Sequence, residues 1–140
     1  MGRVISTENL VTERNRMLKA MAIAQRELAK QPSFNAASHD LAAFLVLALE
    51  KVAESIERSV LPWEKRGYWL KADRFRMDWA WVEPLARELK AALMSEDEGQ
   101  LALGVAALSQ KLSGVKVAEK HRLGTPWLGA WEKLKASAGK

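Results

Sequence analysis

Apolar positions recur along this chain at helical spacing, and sustained alternation is almost absent. From about Glu8 to Lys30, the residues Leu10, Met17, Leu18, Met21, Ala24 and Leu28 fall on one face. Ser6 or Thr7 supplies a cap, and Pro32 ends the segment because proline disfavours helix in the residue before it. A second helix is predicted from Ser38 as N-cap to about Val60. Its first half is apolar nearly all round, which suits the centre of a core. Farther along it, Leu45, Leu49, Val52 and Ile56 face in, opposite Glu50, Glu54 and Glu57. After interruptions at Pro62 and Gly67, a third helix is predicted from about Tyr68 to Met94, with Pro84 kinking or breaking it near Trp81. Ser95 and Glu98 have the spacing of a capping box, which would open a fourth helix with Leu101, Val105, Leu108 and Leu112 inward. Thr125 as cap and Pro126 at the first position would open a fifth, with Trp127, Leu128, Trp131 and Leu134 as its apolar face. The expectation is an all-α bundle of about five helices, the third central and kinked near Pro84. One domain should span 1–140, with 1–7 and 136–140 fraying.

The third segment carries more apolar surface than one seam needs. Tyr68, Ala72, Phe75, Trp79, Val82, Ala86, Leu89 and Leu93 are spaced alternately four and three apart, a pattern for packing on another helix. A second row, Leu70, Met77 and Trp81, is interrupted by Arg74 and sits well round the axis. Trp63 joins it if the helix runs unbroken through Gly67. Two readings stand. Either this helix packs on both sides, since aromatic stripes at helical spacing are usually core, or the second row docks a partner. Tryptophan, methionine and arginine are enriched at protein interfaces. Trp63, Leu70, Arg74, Met77 and Trp81 are therefore the candidate interface.

Charge widens the choice of partner. The net charge is +5, and the excess is uneven: Ser113 to Lys140 holds six Lys/Arg against two acids, while the first sixty residues hold eight against seven. A basic balance permits an anionic partner without requiring one. Lys65, Arg66, Lys71 and Arg76 alternate with aromatics between Trp63 and Trp81, the arrangement in which cations neutralise phosphates and rings stack on single-stranded bases. Lys116, Lys120, His121 and Arg122 form a second cluster leading into the last helix. For both clusters the plainer account is structural: core rings in the first, a solvated connector in the second.

Candidate chemistry is sparse. There is no cysteine, which removes disulfides, thiolate ligands and a cysteine nucleophile. The two histidines, His39 and His121, have alanine three residues before them, so the Glu-x-x-His pairs of a di-metal bundle are missing. His39 reads as a surface residue at a helix start. The acids Glu50, Glu54 and Glu57 read as a solvated face, and Asp73 and Asp78 do not share a helix face. No glycine-rich phosphate loop or nucleophile elbow occurs. The opening Met1-Gly2 with Ser6 matches the myristoylation pattern, which is short and common by chance. The longest apolar run, Leu41 to Leu49, is far short of the ~20 residues a membrane span needs. The first residues lack the apolar core of a signal peptide, so a cytoplasmic protein is expected.

The leading expectation is thus a helical accessory or adaptor subunit, without catalysis or cofactor, working through a protein partner or a copy of itself. The alternative is a basic helical subunit that binds RNA or single-stranded DNA within a larger assembly.

Overall fold

The computed structural model describes residues 7–117 and 123–138. Every element among them is a helix: α1 (Thr7–Ala29), α2 (Ala36–Lys65), α3 (Trp69–Asp78), α4 (Val82–Met94), α5 (Glu98–Lys111) and α6 (Ala130–Ala138). The expected third helix is two helices. Proline clashes with the carbonyl four residues back, which for Pro84 belongs to Ala80. The chain removes the conflict by turning at Trp79–Trp81, and Pro84 falls in the first turn of α4, where a missing N–H costs nothing.

The centre of the fold is α2, which corrects the expectation that the third helix is central. It packs against α1, α3, α4 and α6, while α5 reaches the bundle through α4 and, slightly, α1. Leu41 through Val46 are all buried, as an apolar-all-round helix requires. Around them close Met21 and Ala24 of α1, Val82, Leu89 and Leu93 of α4, Leu108 of α5 and Leu134 of α6. The inner face of α5 is Leu101, Leu108 and Leu112, with Val105 half-buried, as the spacing predicts. Where α4 and α5 meet, Gly104 is buried, and a Cβ on it would lie 2.5 Å from Leu89 Cδ2.

The helix ends differ from the sequence expectations in instructive ways. Asn35, not Ser38, caps α2: its side chain accepts from Ser38 N at 2.9 Å, and Ser38 closes the box from the N3 position. Proline does not end α2, because Pro62 lies one turn from its C-terminus, and the helix runs on through Trp63 to Lys65. Asp97, not Ser95, caps α5 by accepting from Gln100 N at 3.1 Å. The hydroxyl of Ser95 donates back to the Ala91 carbonyl at the end of α4. The Thr125–Pro126 segment makes a turn, and α6 starts only at Ala130. Its free N–H groups are capped from another helix: the carboxylate of Asp40 on α2 accepts from Gly129 N at 3.2 Å and from Trp131 N at 3.0 Å. Leu128, expected on the inner face, is exposed because it belongs to that turn.

His39 is half-buried, which corrects its reading as a surface residue. Its ring lies between Phe34 and Trp131, with centroids 4.3 and 5.2 Å away. Nδ1 faces the Asn35 carbonyl at 2.8 Å, and Nε2 faces the Glu96 carboxylate at 3.1 Å. It therefore ties α2, α6 and the α4–α5 turn together.

Candidate functional site

Among the described residues the most exposed large apolar side chain, Met77, lies on α3, and the local sequence explains why that helix stands apart. α2 ends in a Schellman motif: Gly67 adopts φ +81°, its N–H donates to Glu64, and Tyr68 N donates to the Trp63 carbonyl at 2.8 Å. The chain reverses there, runs ten residues as α3, and turns again at Trp79. Of the other helices only α2 brings its backbone close to α3; α1 reaches it through the side chain of Arg14.

Its inner face holds it down. Ala72 is buried, and Phe75 meets Trp63 edge-on at 5.2 Å between ring centroids. Arg76 donates to Glu64 at 2.7 Å and to Glu57 at 3.1 Å. That pairing raises the guanidinium pKa further and holds the Glu64 carboxyl below the usual glutamate range. Arg76, a candidate phosphate contact by sequence, is thereby committed to carboxylates. Lys71, another, lies 4.5 Å over the Trp63 ring.

Beneath α3 lies a buried arginine that the pattern did not single out. Arg14 of α1 is 6% exposed. It donates to Ser55 Oγ at 3.0 Å and to Ser59 Oγ at 2.6 Å. Its guanidinium also lies 5.1 Å from the Phe75 ring centroid and 5.6 Å from that of Trp79. Burial lowers its pKa. The signal was Arg14 itself, set between Leu10 and Met17 on the apolar face of α1, with Ser55 and Ser59 one turn apart on α2.

The outer face of α3 is unpartnered within the described chain. Tyr68 is 54% exposed, Trp69 60%, Leu70 68% and Met77 76%. Arg74 is exposed among them, as are Lys65 and Arg66 just before the turn. A shallow hollow of about 710 Å³ opens beside them, walled by Trp63, Tyr68, Trp69, Phe75, Lys71 and Arg74. Of the five candidate interface residues, Leu70, Arg74 and Met77 share this outer face. Trp63 is half-buried against Phe75. Trp81 is separated from them by the turn at Trp79–Trp81, stacks on Trp79 at 6.2 Å, and has Lys111 Nζ 5.8 Å over its ring centroid. Sequence reasoning passed over Trp69, which extends the face; an unbroken helix places it off both stripes.

Two other surface features bear on binding. Lys116 stands with Arg16 and Lys19 of α1 around a hollow of about 550 Å³, a gathering of cations that linear spacing did not reveal. The remaining members of that predicted cluster, Lys120, His121 and Arg122, lie outside the described residues. An apolar groove of about 640 Å³ runs between α1 and α5, lined by Ala22, Leu28, Leu101 and Val105 among others. Among the described residues no three His, Asp or Glu side chains gather as a metal site, and no helix is long and apolar enough to cross a membrane. No protein-family model, no curated protein and no solved structure matches the chain.

Proposed function

We propose that this chain is a non-catalytic helical adaptor or accessory subunit that works through protein contacts, with the outer face of α3 as its docking surface. One observation carries the reading. Four large apolar or aromatic side chains, Tyr68 at the start of α3 and Trp69, Leu70 and Met77 along it, stand more than half exposed, and the helix has a single buried residue. Exposed apolar groups in such a patch, rimmed by charge, mark interaction sites. A photo-crosslinking residue at position 70 should give discrete protein adducts in cells, whereas one at exposed position 110 should not. Leu70→Asp combined with Met77→Asp should abolish the contact while melting like the wild type. Equal adducts from both positions, or a contact indifferent to the double substitution, would sink the reading.

The exposed cations support a second reading, an RNA- or single-stranded-DNA-binding subunit. Lys65, Arg66 and Arg74 flank the exposed rings of Tyr68 and Trp69, and Arg16, Lys19 and Lys116 form a separate basic hollow. Binding to a labelled oligouridine at falling salt tests it. Uniform weakening on replacing Lys116 and Arg16 with Ala, with a salt slope lower by up to about 2, is the expected result. No binding at low salt ends this reading.

A further inference from the structure

The charges left uncommitted around α3 are mostly cationic, and they gather on one side of its apolar row. Arg76 is held by Glu57 and Glu64, which takes one cation and two acids out of play together. Lys65, Arg66, Lys71 and Arg74 form no ion pair among the described residues, and all four are exposed. Against them stand two exposed acids, Asp73 and Asp78. Asp73 reaches Arg76 only at 4.0 Å. The hollow beside α3 takes in Lys71, Arg74 and Asp78, but not Asp73. At about 100° per residue, Arg74 and Lys71 lie roughly 40° and 100° round the helix from Leu70, and Asp73 lies roughly 60° round the other way. The hollow is therefore an aromatic recess with a cationic edge, next to the Leu70–Met77 row.

We infer that the partner presents an acidic amphipathic helix to α3, its apolar side chains on Leu70 and Met77 and its carboxylates over Lys71 and Arg74. The inference rests on the docking role proposed above and names the partner's chemistry. Leu70 and Met77 stand two turns apart, the spacing at which the apolar stripe of another helix packs. Charge then selects the occupant. Opposite charge beside apolar anchors speeds encounter and fixes which way round a partner docks. A second copy would bring the same surplus of cations, on a chain whose net charge is already +5. Nucleic acid suits the face less well. Leu70 and Met77 are aliphatic and offer no ring plane to a base, and Asp73 and Asp78 repel phosphates. An acidic helix uses the aliphatic row and the cations together.

Fluorescence anisotropy of the full chain tests it with a labelled helical peptide of about four turns, Leu along one face and Glu elsewhere. Two counterparts carry Gln or Lys in place of Glu. Thermal melts confirm that each protein variant is folded. The Glu peptide should bind about tenfold or more tighter than the Gln peptide, and the Lys peptide weakest of the three. Arg74→Glu should erase that preference, and the double variant Lys71→Glu/Arg74→Glu should reverse it. Asp78→Asn should tighten the Glu peptide by about twofold to fivefold. Leu70→Ser combined with Met77→Ser removes the apolar row without adding charge and should abolish binding. Equal binding of the Glu and Gln peptides overturns the acidic partner and leaves docking through α3 standing. A Glu peptide indifferent to Leu70→Ser/Met77→Ser overturns both. No binding of any peptide overturns the acidic helix as occupant, and the crosslinking experiment then decides the docking role alone. Oligouridine binding that is lost in Trp69→Ala overturns it in favour of nucleic acid, and a dimer that is lost in Leu70→Asp overturns it in favour of a second copy.

Discussion

At Gly104 any side chain meets the core. The Cβ of an alanine would stand 2.5 Å from Leu89 Cδ2 and 3.2 Å from Leu89 Cγ, and Leu89 is buried with little room to shift. Alanine raises helix propensity by up to about 1 kcal/mol, but overpacking a tight contact costs about 1–3 kcal/mol, so Gly104→Ala should lower stability. Gly99, in the first turn of the same helix, gives the opposite sign. Its nearest neighbour would be Asp97 Oδ1 at an ordinary 3.6 Å, so Gly99→Ala should raise stability by about 0.5–1 kcal/mol. Urea titrations of the two variants check the pair. Destabilisation by both would mean that α5 is held differently at its start. Helical periodicity places both glycines in one helix; only the approach of α4 separates them.

At the scale of elements, the helix ends show how much of the local structure depends on partners distant in sequence. Thr125 and Pro126 have the residue types of a helix start, yet α6 begins at Ala130 because the carboxylate of Asp40 waits there for Gly129 N and Trp131 N. A carboxylate at a helix N-terminus satisfies free donors and meets the positive end of the helix dipole. Asp40→Ala should therefore cost about 1–2 kcal/mol, and Thr125→Ala less than about 0.5 kcal/mol. Chemical denaturation would decide, and a larger loss at Thr125 would restore it as the cap. The turn at Trp79–Trp81 has a matching consequence. Trp81 packs on Trp79 and the core instead of continuing the α3 stripe. Trp81→Ala should destabilise the fold by about 2–3 kcal/mol, less than a fully buried ring, and leave association through α3 intact in the surviving folded protein. Unchanged melting with lost association would return Trp81 to the interface.

At the scale of the molecule, α3 is a satellite fastened to a four-way packed α2 by a ring contact, a buried arginine and one ion-pair cluster. Acid should loosen that fastening. The Glu64 carboxyl is held below its ordinary range by its hydrogen bond with Arg76, so its contribution is present above the unfolded value of about 4.3 and is lost as pH falls through the lowered folded value. Arg76 is raised and stays charged throughout, so it adds no pH dependence in the accessible range. Glu64→Gln should therefore melt lower than the wild type near neutrality, with the gap closing in acid as the wild type loses the same charge. A gap constant from pH 7 to pH 3 would show that the pair contributes nothing through its charge.

Helical class and the inner faces of α1, α2, α4 and α5 were legible in the order of residues, because a 3.6 period is a local property that each segment states for itself. The same period set Leu70, Arg74 and Met77 on a row apart, with Trp81 beside them, but left open whether that row was buried or faced out. Proline and glycine likewise announced that the chain would turn near Gly67 and near Trp81. The rest was decided between segments. Whether α2 or the expected third helix became the centre depended on which of two apolar helices found neighbours on every side, and the turn at Trp79–Trp81 took that place from the third. Arg14 could be buried only because Ser55, Ser59, Phe75 and Trp79 gather around it from other helices, and Arg76 left the pool of free cations only once Glu57 and Glu64 stood opposite. Asp40, His39 and the Arg16–Lys19–Lys116 hollow are of the same kind. Each depends on pairings across the fold, where charge and hydrogen-bond geometry act over a few ångströms in space and leave no period along the chain.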